Sequence, residues 1–192
     1  MLRKIDKPIK NCGECPNRYY SEFQGGNVCQ EAHGHIITDL NRVMRVCPLP
    51  DAGVRVGCVV ILVRDGKVLL GKRGEDCQTA RGEYAFPGGR MDYGDTPEQS
   101  ASREAFEETG LLIPEQELKF LRYVNEYFPK NEKHYVSLVF MAKCHESMGE
   151  AINKEPDKCL GWKWYDPDHI PKNTFWAVKE SIQMFRWKIA TA

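Results

Sequence analysis

From residue 54 onward the hydrophobic positions fall into short blocks whose spacing predicts their structure. "VRVGCVVILV" (54–63) is a nearly unbroken, β-branched run, the pattern of a buried strand. "RDG" then turns the chain into "KVLLGKR" (67–73), which completes a β-hairpin. "GEYAFPGG" (82–89) reads as a short extended piece ending in a glycine turn. A helix follows: Thr96 suits its N-cap, Pro97 its first position and Gln99 the third position of a capping box. Gly110 is placed to end that helix, and Ala101, Ala105 and Leu111 share its apolar side.

Farther on, "LKFLRYVNEYF" (118–128) precedes "KHYVSLVFMAKCH" (133–145), which alternates as a strand does. "LGWKWYD" (160–166) is a further strand with Trp162 and Trp164 on one face, and "TFWAVKESIQMFRW" (174–187) has helical spacing. The order strand, hairpin, helix, strands, helix predicts a mixed α/β sandwich. "CPLPDAG" (47–53) marks a boundary, with residues 1–50 as a cysteine-rich module and 51–192 as the main domain.

The first helix carries the chemistry. In "REAFEETG" (103–110), Glu104, Glu107 and Glu108 stand at i, i+3 and i+4 and share one face. Like charges so placed weaken a helix by about 0.2–0.5 kcal/mol per pair, so a solvated surface, a basic partner or a divalent cation must offset the repulsion.

Composition narrows the choice. The chain has 192 residues, 42% hydrophobic and 10% aromatic, enough for one mid-sized domain and a small appendage. Lys+Arg and Asp+Glu number 27 each, which argues against a nonspecific nucleic-acid-binding surface. The longest apolar run, "CVVILV", is too short to span a bilayer, and "MLRKIDKPIK" is not followed by an apolar signal segment. A cytoplasmic protein is expected. Of the eight cysteines, Cys12, Cys15, Cys29 and Cys47 lie in the first 47 residues, where metal binding is the better reading than disulfides. Cys58, Cys77, Cys144 and Cys159 read as buried free thiols.

Gly89, Asp95 and "REAFEETGL" resemble the Nudix box, G-x5-E-x7-R-E-U-x-E-E-x-G-U, with U aliphatic. Gly89, Arg103, Glu104, Glu107, Glu108, Gly110 and Leu111 match; Asp95 stands where the family has Glu, and Ala105 is a small U. The resemblance implies a Nudix mixed-sheet α/β/α sandwich, with Mg²⁺ (or Mn²⁺) held by Glu104, Glu107 and Glu108. It also implies Glu107 or Glu108 as the base for water, though some members use an acid from a later loop, and Arg103 paired with Asp95. The chemistry suits the spacing: Mg²⁺ accepts carboxylates and phosphates and lowers the pKa of bound water. The "PGG" turn offers Gly88 and Gly89 backbone to phosphate. A merely solvated acidic face would not bring turn, cap, arginine and acids into register.

"LLGKR", "GEYAFPGG", "YVNEYF", "KHYVSLVF" and "EPDKCLGWKWYD" look like the nucleoside triphosphate diphosphatase branch, which releases a nucleoside monophosphate and pyrophosphate. That resemblance makes Arg73 a candidate phosphate contact and Phe86, Asn125, Tyr127 and Trp164 candidates for a base pocket. Alternatives are an NADH-type dinucleotide pyrophosphatase, whose extra motif after the box is missing, and a nucleotide sensor, which would have lost box acids. "CGEC" (12–15), Cys29 and "CPLPD" (47–51) resemble small zinc modules of phage and bacterial proteins. Four thiolates suit a structural Zn²⁺, with His33 or His35 as rivals to Cys47. Residues 12–47 have no basic surplus, so the module reads as a stabiliser or a homodimer contact.

Overall fold

The computed structural model describes residues 18–21, 26–29, 35–36, 54–75, 77, 79–128 and 133–191. The chain divides into two compact units, Met1–Val54 and Arg55–Ala192. In the first, β1 (Arg18–Ser21), β2 (Gly26–Cys29) and β3 (His35–Ile36) form an antiparallel sheet in that order, with Cys29 opposite His35. Cys12, Cys15, Cys47 and His33, and with them the zinc reading, lie outside the described residues.

The second unit is built on a seven-stranded mixed sheet. Its strands are β4 (Val54–Arg64), β5 (Lys67–Arg73), β6 (Tyr84–Ala85), β7 (Gly88–Arg90), β8 (Lys119–Phe128), β9 (Lys133–Lys143) and β10 (Cys159–Tyr165). The main order is β10-β5-β4-β9-β8, with β6 against β5 and β7 against β4. The β4–β5 hairpin turns on Asp65 and Gly66, both at positive φ (49° and 71°), as a two-residue hairpin requires.

From Cys58 to Val63 strand β4 is apolar because both its faces are covered there. Cys58, Val60 and Leu62 pack with Ala101, Ala105, Leu111 and Ile113 on the side of α1 (Pro97–Thr109). Ile61 and Val63 pack on the opposite face with Phe175, Val178, Ile182 and Ile189. This is the α/β/α layering expected of the sequence. Helix α1 begins as its residues dictate: Thr96 accepts from Gln99 N, the Gln99 side chain reaches back, and Gly110 ends the helix at φ 74°.

The last helix departs from the expected single element over 174–187. It is two helices, α2 (Trp176–Met184) and α3 (Arg186–Ala190), separated at Phe185. Residues before α2 are held in a strand-like bridge instead, with Tyr84 N bonded to Asn173 O and Phe175 N to Tyr84 O. The break at Phe185 turns the following segment so that Ile189 is fully buried in the core.

Candidate active site

Two glycines join α1 to the sheet. Gly88 sits at φ +154°, and a Cβ there would fall 2.3 Å from Cys58 O, so only glycine fits. A Cβ on Gly89 would fall 2.3 Å from Glu104 Oε2. The Glu104 carboxylate therefore lies directly on the Gly89 backbone. Beside it, Gly88 N donates to Glu108 Oε2 at 3.0 Å. The far end of the helix is fixed too, because Trp162 Nε1 donates to Glu108 O at 3.0 Å and Ile152 N to Thr109 O at 2.7 Å.

Arg103 organises the acids. Its Nη1 donates to Glu104 Oε1 at 2.9 Å and to Glu107 Oε2 at 3.3 Å, and its Nη2 donates to Arg90 O at 3.2 Å. Nη2 is also 3.1 Å from Asp92 Oδ2. The expected partner, Asp95, is farther: its Oδ2 lies 3.5 Å from Arg103 Nε, which is buried without a hydrogen bond. The shorter side chain of Asp95 instead accepts from Ser100 Oγ at 3.0 Å. Arg103 thus holds the helix carboxylates themselves more closely than the residue meant to orient it.

The setting makes charge costly. Burial pushes the Glu108 carboxyl up from 4.5 to about 7, with Glu104 and Glu155 adding to the rise and the Gly88 N–H and Arg73 opposing it. Burial likewise raises Glu104, Glu107 and Glu155 contribute, and Arg103 pulls it back. A divalent cation would relieve this accumulation of negative charge, and hard carboxylate oxygens suit Mg²⁺ or Mn²⁺. Among the described residues no three ligand-type side chains converge on one point as they stand. Arg103 holds Glu104 and Glu107, and Gly88 holds Glu108, so metal binding would draw these groups from their present partners.

A cleft of about 380 Å³ opens over the helix. It brings together Arg73, Phe86, Gly88, Gly89, Glu104 and Glu108. Arg103 and Glu107 are not part of its lining, and Glu107 is half exposed beside it. Asn125 and Tyr127 are elsewhere. They lie on the exposed face of β8, where Asn125 meets His134 and Tyr127 packs edge-on against the same ring. The alternation of a strand puts their neighbours Val124, Glu126 and Phe128 inward instead. Trp164 also stays out of the cleft, stacked under Arg64 at 4.8 Å, whereas Trp162 lines it.

Sequence reasoning missed Glu126, Glu155, Trp162 and Cys77 as cleft residues. Strand parity was the available signal for Glu126, a carboxylate between two inward apolar positions. Cys77 is not a buried thiol: it is part-exposed and its Sγ lies 3.2 Å from Lys158 O. Cys58, Cys144 and Cys159 are buried, and burial pushes the first two thiols up to about 11.

The NUDIX domain family profile matches residues 51–187. An ADP-ribose pyrophosphatase of Methanocaldococcus jannaschii is 30% identical over 128 residues, 67% of this chain and 71% of that protein. An oxidized purine nucleoside triphosphate hydrolase of Danio rerio is 33% identical over 121 residues, 62% of this chain and 70% of the relative. The crystal structure of a MutT NUDIX hydrolase from Burkholderia pseudomallei superposes with a TM-score of 0.62 at 30% identity, covering 68% of this chain and 97% of that one.

Proposed function

This chain belongs to the Nudix family of hydrolases acting on pyrophosphate bonds, and on that premise we propose that it converts nucleoside triphosphates, canonical or oxidised, and water into nucleoside monophosphate and pyrophosphate. The observation that carries the reading is the carboxylate pair seated on the glycine turn, Glu104 over Gly89 and Glu108 on the Gly88 N–H. Two carboxylates of a kind that suits a divalent cation thus stand against the glycine turn in one cleft.

In this reading Glu104, Glu107 and Glu108 hold Mg²⁺ or Mn²⁺. The ion supplies charge neutralisation of the phosphates and a lowered pKa for bound water. Glu107 and Glu108 are the candidates to take a proton from the attacking water. Arg73 faces the phosphates from the cleft wall, its Nε fixed by Thr79 O at 3.0 Å. Arg103 positions Glu104 and Glu107.

The test is a panel of canonical and oxidised (d)NTPs, NADH and ADP-ribose, assayed for pyrophosphate, phosphate and AMP with Mg²⁺. Pyrophosphate with monophosphate from triphosphates is expected. The archaeal ADP-ribose pyrophosphatase favours a second reading, a dinucleotide or ADP-ribose pyrophosphatase, and AMP released from those substrates without triphosphate turnover would establish it. Tight binding with no turnover would mark a sensor, against the presence of all three helix acids.

For the remainder of the chain the proposal is a structural Zn²⁺ on Cys12, Cys15, Cys29 and Cys47, which makes residues 1–50 a module and 51–192 the hydrolase domain. Its support is the chemistry of four soft ligands within residues 12–47. About one zinc per chain should copurify, and Cys12→Ser should lower both zinc and stability. Full zinc in Cys47→Ser but none in His33→Ala would assign the fourth ligand to His33.

A further inference from the structure

A recess of about 90 Å³ opens off the cleft, sharing Phe86, Gly88, Glu126 and Ser137 with it. Its walls are mostly aromatic and aliphatic, with Phe128 and Phe175 stacked at 6.0 Å and 16°, and with Arg73 and Thr79 on the side shared with the cleft. Into these apolar surroundings β8 turns one carboxyl group, Glu126. Ser137, 5% exposed on the neighbouring β9, donates its hydroxyl to Glu126 Oε2 at 2.9 Å. Among the described residues that is the hydrogen bond the carboxyl makes. Ser181, on α2, is occupied with Ala177 O at 2.7 Å, so its proton is unavailable to a ligand.

A carboxyl on an inward strand position is costly unless something binds it. Ser137 fixes its rotamer without filling its acceptor capacity, since an ionised carboxylate accepts at about four positions. The recess therefore offers a fixed anionic acceptor between aromatic walls, next to the glycine turn where phosphate would lie. The flat walls suit a nucleobase. The acceptor suits a base edge with two adjacent N–H donors, which a carboxylate binds in bidentate fashion.

We propose that Glu126, oriented by Ser137, is the specificity-determining residue of this cleft, accepting the N1–H and 2-amino N–H bonds of a 2-amino-6-oxopurine. This rests on the nucleotide reading given above. Guanine and its 8-oxidised form present that edge. Adenine and cytosine pair each exocyclic amino donor with a ring-nitrogen acceptor, and uracil and thymine flank one N–H with carbonyls, so each aims a lone pair at the carboxylate. Burial raises the carboxyl from its ordinary value while Ser137 and Arg73 oppose the rise. Two further N–H donors would act in the same direction as these and favour the charged, accepting form.

The experiment is calorimetric binding of GMP, IMP and AMP with Mg²⁺ to wild type, Glu126→Gln and Ser137→Ala, alongside kcat/KM for dGTP, dITP and dATP. IMP lacks only the 2-amino group, so wild type should bind GMP about tenfold or more tightly than IMP, with a similar ratio in kcat/KM. Glu126→Gln, with one donor and one acceptor, should abolish that ratio, and Ser137→Ala should diminish it. Equal binding of GMP and IMP by wild type overturns the proposal even if a variant fails to fold. So does a ratio that survives in folded Glu126→Gln, or a preference for AMP. GMP selectivity in binding with no triphosphate turnover would uphold this role and defeat the triphosphate reading instead.

Discussion

Replacing Glu108 with Gln should stabilise the metal-free protein at pH 8 while destroying its activity. In the folded protein burial lifts this carboxyl from 4.5 to about 7. The folded state therefore holds the proton more tightly than the unfolded chain, and its stability falls as pH rises from about 4.5 through 7. At about 1.4 kcal/mol per pH unit, the ionised carboxylate costs the fold at most about 3.5 kcal/mol above pH 7. Gln carries no charge at any pH, and its carbonyl still accepts from Gly88 N–H. Wild type and variant should thus be equally stable near pH 4.5 and diverge as pH rises. Thermal and urea unfolding in chelator measure this, with a Tm gain of up to about 7–14 °C for the variant at pH 8. Excess Mg²⁺ should narrow or reverse the difference by binding the native wild type. A stability difference that stays the same from pH 5 to pH 8 without metal would refute the reasoning.

Gly89→Ala forces a Cβ to within 2.3 Å of Glu104 Oε2 and should displace that carboxylate, lowering kcat about a hundredfold or more with a Tm loss of a few degrees. Glu107→Gln changes a half-exposed side chain and should leave unfolding within about 0.5 kcal/mol of wild type while abolishing turnover. Asp95→Glu should bring its carboxylate within hydrogen-bonding reach of Arg103 Nε and keep or modestly raise activity, whereas Asp95→Ala should lower it. If Asp95→Glu is as damaging as Glu107→Gln in steady-state assays, Asp95 has a direct part in the metal site.

The features legible in the sequence were those fixed by local physics. Thr96, Pro97, Gln99 and Gly110 satisfy helix-end groups within a turn of themselves, so α1 could be bounded without knowing its neighbours. Three acids at i, i+3 and i+4 share a face in any helix. The unbroken apolar run of β4 already required cover on both sides. Other properties arose only when elements met. Strand alternation separates Asn125 and Tyr127 from Glu126 and Phe128, but which set faces the core depends on where β9 and α2 pack. Helical spacing over 174–187 says nothing of the bridge to Tyr84 or the turn at Phe185, since both are set by contacts distant in sequence. The engagement of Arg103 with Glu104 ahead of Asp95, and the high pKa of Glu108, likewise depend on burial and on distances of a few ångströms. Sequence alone determined which residues this chemistry has at its disposal; tertiary packing decided which of them face the cleft and in what charge state, because burial and orientation are collective properties of the fold.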